Sequence, residues 1–170
     1  TNHVVRYKLA EIYLKTEQTE KSLAYITQAI AEDQTNKYYY LLAVDIYTQA
    51  NDLEGVETMY KALIDNFPKG DQYLLNLAAV YIYQQDLEQA LATYNRIEDK
   101  FGINEQTTFQ KQKIYLQQNN VAKAIEEGEK LIKAFPEAYQ YTILLCEILA
   151  SNNRQDEAIE RLRPLTDGDN

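Results

Sequence analysis

The feature that most constrains the fold of this chain is an internal repeat of 34 residues. Tyr13, Tyr47, Tyr81 and Tyr115 follow one another at this spacing. Three further series keep it: Ile12, Ile46, Val80, Ile114 and Ile148; Ala29, Leu63, Ile97, Leu131 and Leu165; and Phe67, Phe101 and Phe135. A fixed period of about 20–50 residues is typical of chains that stack one small structural unit repeatedly. The sequence therefore predicts a repeat fold.

Apolar residues inside each block recur three and four positions apart, which predicts α-helices with one buried face. In the first block, Leu9, Ile12 and Tyr13 share one face of a first helix, and Leu23 and Ile26 share one face of a second. Glycine and proline, which break helices, number only 5 and 3 in 170 residues. Each block is therefore expected to fold as helix, tight turn, helix.

Short polar stretches such as TQANDLE separate the two helices of each block. Asp52 and Asp86 lie in these stretches, where a carboxylate can accept hydrogen bonds from the unpaired N–H groups at the start of the next helix. Pro68, Gly102 and Pro136 follow the second helices of three blocks and are expected to end them.

This pattern resembles the tetratricopeptide repeat, a helix-turn-helix unit of 34 residues. The third block carries side chains that the family expects at its main positions: Leu77, Ala78, Tyr81, Ala90, Tyr94 and Ile97. The resemblance implies an all-α fold, a right-handed α-solenoid of about five repeats. A single array would consist of residues 3–36, 37–70, 71–104, 105–138 and 139–170. Because the chain begins without methionine, it is left open whether the array was cut from a longer protein.

The fourth block departs from the family pattern. Lys111 and Gln112 stand where a leucine and a small residue are expected, and Gly128 replaces the usual aromatic residue. We interpret two of these changes together: the large Gln112 side chain fits at the contact between the helices because position 128 carries no side chain. A glycine within a helix costs about 1 kcal/mol relative to alanine, so this block is expected to be the weakest.

Composition disfavours two classes of partner. The net charge of -9 argues against nucleic acid, whose binding needs clustered lysine and arginine. No apolar run approaches the roughly 20 residues of a membrane-spanning helix, so we expect no direct insertion into a membrane. The compartment stays open between cytoplasm and periplasm.

Catalytic and metal-binding residues are scarce in this chain. His3 is the only histidine and lies at an N-terminus that is expected to fray. Cys146 is the only cysteine and takes a small-residue position of the repeat, where a buried, unreactive thiol is expected. A catalytic triad or a zinc site needs more groups than these. We therefore expect no enzyme, no cofactor and no metal ion.

In tetratricopeptide proteins the first helices of successive repeats line a concave groove that binds peptides, so the resemblance implies such a groove here. The candidate peptide-binding residues are Tyr7, Tyr38, Leu41, Asp45, Gln72, Leu75, Tyr83, Gln106, Phe109, Lys113 and Gln117. An apolar row recurs among them and continues into the fifth block: Tyr7, Leu41, Leu75, Phe109 and Ile143. Helical spacing alone does not separate a row that faces a ligand from one that packs repeats together.

The function expected from the resemblance is a non-enzymatic interaction module that binds a protein or peptide segment in the groove. The alternative is a structural spacer or self-assembly segment of a larger protein, such as a cell-envelope protein, joined through the ends of the array. Both ends of a repeat array need polar covers. Pro164 is expected to end or kink the last helix early, and no capping helix follows it.

Overall fold

The computed structural model describes residues 2–166, which form ten α-helices, one short 3₁₀ helix and no β-strand. The helices are α1 (Asn2–Lys15), α2 (Thr19–Glu32), α3 (Lys37–Gln49), α4 (Leu53–Asn66), α5 (Leu74–Tyr83), α6 (Leu87–Phe101), α7 (Glu105–Gln117), α8 (Val121–Ala134), α9 (Tyr139–Ser151) and α10 (Gln155–Thr166), with the 3₁₀ helix at Gly70–Tyr73 before α5. The all-α prediction is confirmed, and each block of 34 residues contributes two α-helices.

The chain divides into two compact units, Thr1–Thr93 and Tyr94–Asn170. In the first unit α1 packs on α2, α2 on α3, α3 on α4 and α4 on α5. In the second unit α7 packs on α8, α8 on α9, and α9 on α10. That all five helix pairs form a single array stays a prediction.

The periodic apolar residues build the core of each unit. In the first unit one buried cluster consists of Ala10, Ile26, Ala29, Tyr39, Leu42, Ala43 and Ile46. In the second unit the corresponding cluster consists of Ile125, Leu145, Cys146, Leu149 and Ala158. Of the tyrosines placed on core positions, Tyr81 and Tyr94 are buried, whereas Tyr13, Tyr47, Tyr60 and Tyr115 are half-buried. A half-buried tyrosine hides its ring and keeps its hydroxyl near water.

Two members of the periodic series do not lie in the core. Ile12 is 57% exposed, although Ile46 at the same position of the next repeat is fully buried. Leu165 is 43% exposed, whereas Leu131 at the same position is buried. The expectation that Ile12 shares the buried face of α1 was wrong. Ile46 is covered by α2 of the repeat before it, whereas no described helix precedes α1 to cover Ile12.

A left-handed residue ends the first helix of every block. These residues have φ between 55° and 62° and lie 34 positions apart: Glu17, Asn51, Gln85, Asn119 and Asn153. The backbone N–H of the next residue donates to a carbonyl five residues earlier, as in the bond from Asp52 N to Tyr47 O at 2.9 Å. Because backbone atoms form this turn, its side chains vary from block to block.

Side-chain caps begin the second helices of the second and third blocks, as the sequence predicts. Asp52 Oδ1 accepts a hydrogen bond from Gly55 N at 2.9 Å, and Asp86 Oδ1 accepts one from Gln89 N at 3.1 Å. These bonds satisfy N–H groups that have no partner inside the helix.

The second helices of three blocks end where proline or glycine was expected to stop them. α4 ends two residues before Pro68, α6 ends immediately before Gly102, and α8 ends two residues before Pro136. Pro164 does not end the last helix early, because α10 continues to Thr166. Pro164 cannot donate a hydrogen bond to the carbonyl group four residues earlier, but only two helical residues follow it, so it interrupts no further turn of the helix. The polar tail beyond residue 166 lies outside the described residues.

His3 is held in place, so the expectation of a frayed N-terminus was wrong at this residue. It lies in the first turn of α1, and its Nδ1 is 2.8 Å from the Tyr39 hydroxyl oxygen and 3.9 Å from Asp33 Oδ2. These contacts connect the first turn of α1 to α3 and to the C-terminal end of α2.

The fourth block contains a buried network of charged side chains. The Lys111 side chain is 1% exposed, and its Nζ lies 2.8 Å from Glu98 Oε2 and 2.6 Å from Glu127 Oε2. Thr107 donates a hydrogen bond to the other oxygen of Glu98 at 3.2 Å, and Lys130 donates one to the other oxygen of Glu127 at 2.9 Å. The Lys111–Glu127 contact is ionic without hydrogen-bond geometry. A buried lysine is tolerated only with such partners.

Gln112 and Gly128 are in close contact, in agreement with our interpretation of the fourth block. A Cβ atom placed on Gly128 would lie 2.9 Å from Gln112 Nε2 and 2.9 Å from Leu145 Cδ1. Gln112 Nε2 donates a hydrogen bond to Ala124 O at 3.0 Å, and this bond joins the two helices of the block. The absence of a side chain at position 128 therefore leaves space for a buried amide.

Candidate functional site

The candidate peptide-binding residues fall into two groups by exposure. Most are exposed: Tyr38, Asp45, Gln72, Leu75 and Tyr83 in the first unit, and Gln106, Lys113 and Gln117 in the second. Three are half-buried: Tyr7, Leu41 and Phe109. All of them except Gln72, which is in the 3₁₀ helix, lie on the first helices of their blocks.

The apolar row takes part in packing but keeps accessible surface. The Tyr7 ring stacks on Tyr39, with ring centroids 5.2 Å apart and planes inclined by 30°. Leu41 packs against a core cluster that includes Tyr40. Leu75 and Ile143, in contrast, are exposed. Tyr7 and Leu41 therefore contribute to packing, and that Leu75 and Ile143 face a ligand stays a prediction.

An open cleft lies in the first unit between α3, α4 and α5, with a volume of ≈370 Å³. We call it the tyrosine cleft. Its lining residues are Thr48, Asn51, Leu53, Val56, Tyr60, Asn76, Ala79, Val80 and Tyr83. Of the candidate residues only Tyr83 lines it. Tyr83 is 76% exposed, so its ring forms an accessible wall of the cleft.

A second cleft lies within the second unit between α7 and α9 and has a volume of ≈300 Å³. We call it the phenylalanine cleft. Its lining residues are Phe109, Gln112, Leu116, Leu144, Glu147, Ile148, Ser151 and Asn152. Five of these positions lie 68 residues, or two periods, after residues of the tyrosine cleft: Leu116, Leu144, Glu147, Ile148 and Ser151. Each unit therefore presents a cleft at the same place in the repeat.

The sequence did not single out Leu116, Leu144 or Tyr60 as binding residues. Tyr60 is half-buried and lines the cleft. The 34-residue period would have identified these positions only if the geometry between neighbouring first helices had been known.

Asp45 lies on α3 about one helical turn before Thr48, which lines the tyrosine cleft, but Asp45 itself is not part of the lining. Partial burial raises the pKa of its carboxyl group, although the residue as a whole is exposed. Burial also raises the pKa of Tyr60, with a smaller contribution from the Asp45 carboxylate, while a hydrogen bond with Asn76 acts in the opposite direction. The charge of Asp45 therefore contributes to the raised pKa of Tyr60, which lines the cleft.

Neighbouring charges differ between the two clefts. Glu11, one repeat before Asp45, accepts a hydrogen bond from Lys8 at 2.6 Å. At the same position of the repeat the later blocks have Ala79, Lys113 and Glu147. Lys113 thus takes the repeat position of Asp45, while Glu147, which lines the phenylalanine cleft, takes the position of Ala79, which lines the tyrosine cleft.

Catalytic and metal-binding groups are sparse in the part of the chain that the structure describes. Within residues 2–166 no three histidine, cysteine, aspartate or glutamate side chains are grouped so that they could hold a metal ion. Cys146 is buried, and burial raises the pKa of its thiol, which keeps it protonated. None of the described helices has both the length and the apolar content that a membrane crossing requires.

Comparison with known families identifies the repeat. One tetratricopeptide repeat model matches residues 57–102 and 113–165, and a second matches residues 4–36. The chain belongs to the tetratricopeptide repeat family. Residues 103–112, which include Lys111 and Gln112, lie outside these matches. No curated protein sequence matches this tetratricopeptide repeat chain.

Solved structures share its fold at low sequence identity. YrrB, described as a tetratricopeptide repeat protein with an unusual peptide-binding site, has a TM-score of 0.55 and 17% identity, over 93% of this chain and 81% of YrrB. MamA from Desulfovibrio magneticus has a TM-score of 0.59 and 13% identity, over 98% and 94%. The structure of Naa15/Naa10 bound to HypK-THB gives 0.72 and 18%, over 99% of this chain but 26% of the other. At such identities the likeness shows the fold alone.

Proposed function

We propose that this tetratricopeptide repeat chain is a non-enzymatic binding module that holds a segment of another protein against its first helices. The observation that carries the proposal is the tyrosine cleft, where an exposed tyrosine ring stands beside an open, largely apolar space. An exposed aromatic ring contributes little to folding but offers a large contact area to a ligand. The chemistry of the cleft therefore suits a protein or peptide partner.

The lining of the tyrosine cleft supports this function in two ways. Its volume of ≈370 Å³ lies within the range of about 300–1,000 Å³ that ligand sites occupy. Asn76 and Thr48 add polar groups that can bond the backbone of a peptide. YrrB, which shares the fold, has a peptide-binding site.

Peptide display on the whole chain tests the proposal. The wild type and a Tyr83→Ala variant would be panned in parallel against a random peptide library. Tyr139→Ala is the matched control, because Tyr139 is also a strongly exposed tyrosine but lines neither cleft. We expect enrichment by the wild type and the control and its loss from Tyr83→Ala. Equal enrichment by all three proteins would place binding elsewhere, and absence of enrichment would refute the function.

A second candidate function is self-assembly or spacing through the end helices. It is favoured by exposed apolar side chains on α1 and α10: Val5, Ile12, Ile159 and Leu165. If these faces join copies of the chain, sedimentation velocity should show association that rises with concentration and that Ile12→Glu reduces. A monomer at all concentrations would refute self-assembly.

A further inference from the structure

We infer that the phenylalanine cleft binds a tyrosine side chain of the partner, whose hydroxyl group donates a hydrogen bond to Gln112 Oε1. The inference rests on the proposed function for the class of ligand, a protein segment, but it assigns a second site, in the second unit. It follows from three features: a buried amide where the other blocks have small or apolar residues, an oxygen of this amide without a donor, and apolar walls around it.

Gln112 places an amide at a position of the repeat that needs none for folding. It is 7% exposed. The other blocks have small or apolar side chains at this position, all of them buried: Ala10, Val44, Ala78 and Cys146. Burying an amide costs free energy unless it is hydrogen-bonded, and Gly128 lacks the Cβ atom that would lie 2.9 Å from Gln112 Nε2. Packing of the repeat therefore does not account for the choice of glutamine.

Only one end of the Gln112 amide has a partner in the protein. Its Nε2 donates a hydrogen bond to Ala124 O at 3.0 Å, whereas no group of residues 2–166 donates one to its Oε1. Within the same residues, the fully buried side-chain atoms that lack a partner are Thr108 Oγ1 and Glu127 Oε2. Gln112 Oε1 thus keeps accessible surface. Because Gln112 lines the phenylalanine cleft, a ligand in the cleft can supply the missing donor.

The rest of the lining suits a tyrosine ring. The apolar walls are formed by Phe109, Leu116, Leu144 and Ile148. The volume of ≈300 Å³ is at the lower end of the range of about 300–1,000 Å³ for ligand sites, which suits a single ring. The tyrosine hydroxyl can donate to Gln112 and accept from the hydroxyl of Ser151, which also lines the cleft, whereas an indole N–H only donates. Phenylalanine would leave Gln112 Oε1 without a donor.

Glu147 and the tyrosine cleft provide two internal comparisons. Glu147 also lines the phenylalanine cleft, but it is exposed, so water can hydrate its carboxylate and it does not depend on a ligand for a donor. In the first unit Val44 takes the position of Gln112 two periods earlier. The buried acceptor therefore belongs to the phenylalanine cleft and has no equivalent at that position in the first unit.

Nuclear magnetic resonance titration of the whole chain tests the inference. The probes are N-acetyl-tyrosine N-methylamide and N-acetyl-phenylalanine N-methylamide, which differ only in the hydroxyl group. We expect the tyrosine probe to shift the backbone amide signals of Leu116 and Leu144. It should bind there about threefold to tenfold more tightly than the phenylalanine probe, which is the effect of one hydrogen bond.

Gln112→Met removes the acceptor and keeps a side chain of similar length, so the ratio of the two affinities should fall to about one. Gln112→Ala should have the same effect, and Ala10 and Ala78 show that alanine is compatible with this position. Gln110→Met is the matched control, because it makes the same replacement at an exposed glutamine of α7 outside the lining. This variant should keep the preference for the tyrosine probe.

Several results would overturn the inference. They are equal binding of both probes by the wild type, absence of binding in the phenylalanine cleft, and a preference for tyrosine that survives in Gln112→Met. A loss of preference in Glu147→Gln as large as that in Gln112→Met would assign the hydroxyl group to Glu147 instead. Tighter binding of N-acetyl-tryptophan N-methylamide than of the tyrosine probe would overturn the choice of tyrosine.

The display experiment separates failure of this inference from failure of the proposed function. If peptides that depend on Tyr83 are enriched but the phenylalanine cleft shows no preference for the tyrosine probe, the function stands and the inference fails. If no peptide is enriched, the function itself fails.

Discussion

Replacing Lys111 with leucine should strongly destabilise the second unit, although leucine is the residue that the repeat pattern expects there. The Lys111 side chain is 1% exposed, and it lies between Glu98 and Glu127, whose side chains are 11% and 5% exposed. At an effective dielectric constant of about 20, unit charges at these distances attract by roughly 6 kcal/mol per pair. That attraction offsets the several kcal/mol that burying each ion costs.

Lys111→Leu removes the attraction but leaves both carboxylates in the interior. Removing one partner of a buried ion pair typically costs about 3–5 kcal/mol, and we expect a loss in this range. The assay is urea unfolding followed by far-ultraviolet circular dichroism. Lys113→Leu, which replaces an exposed lysine of the same helix, should change the free energy of unfolding by less than about 0.5 kcal/mol.

A triple variant separates lost charge balance from lost packing. The other repeats carry mostly apolar residues at the positions of Glu98, Lys111 and Glu127; for example Ile64, Leu77 and Met59. The variant Glu98→Ile/Lys111→Leu/Glu127→Met should regain the stability that Lys111→Leu loses, because apolar replacement of a buried ion network is often neutral or stabilising. The reasoning is refuted if Lys111→Leu costs less than about 1 kcal/mol, or if the triple variant is no more stable than it.

Three further predictions concern the repeat itself. Gly128→Ala should be more favourable by about 1 kcal/mol in a Gln112→Ala background than in the wild type, because the added Cβ would contact Gln112; a double-mutant cycle by thermal unfolding that shows no coupling would contradict this. Gln85→Gly should raise the free energy of unfolding by about 0.5–1 kcal/mol, since φ is +62° at that residue, while Glu88→Gly within α6 should lower it by about 1 kcal/mol; a loss at both positions would be the opposing result. Burial raises the pKa of Glu57, but hydrogen bonds from neighbouring side chains outweigh it and hold the pKa below its ordinary value of 4.5. The stability that this carboxylate contributes is therefore present above pH 4.5 and lost as the pH falls through the folded-state pKa, so Glu57→Gln should flatten stability against pH in that range, as measured by urea unfolding at several pH values.

Periodicity predicted the helices well because every block repeats the same pattern of apolar, capping and helix-ending residues. The caps at Asp52 and Asp86 and the stops at Pro68 and Gly102 depend only on neighbouring residues. The prediction that Ile12 is buried was wrong because burial at this position depends on a neighbouring repeat, which a local pattern does not reveal.

The charged network could have been found from the sequence and the clefts could not. Glu98 and Lys111 each interrupt a mostly apolar position of the repeat, and two opposite charges at such positions indicate that they meet. The clefts depend on the distance between neighbouring helices and on side-chain rotamers, which a pattern of residue types does not specify.

The buried network also makes the contact between the third and fourth blocks specific to these two blocks. Glu98 comes from the third block and Lys111 from the fourth. Their ion pair therefore forms only when these two blocks are neighbours. If the fourth block were moved behind the second, Lys111 would meet Ile64 and its charge would have no acid from the preceding block. One junction between otherwise similar repeats thus depends on a complementary pair of charges. Shuffled arrays that separate the third block from the fourth should be less stable than arrays that keep them adjacent.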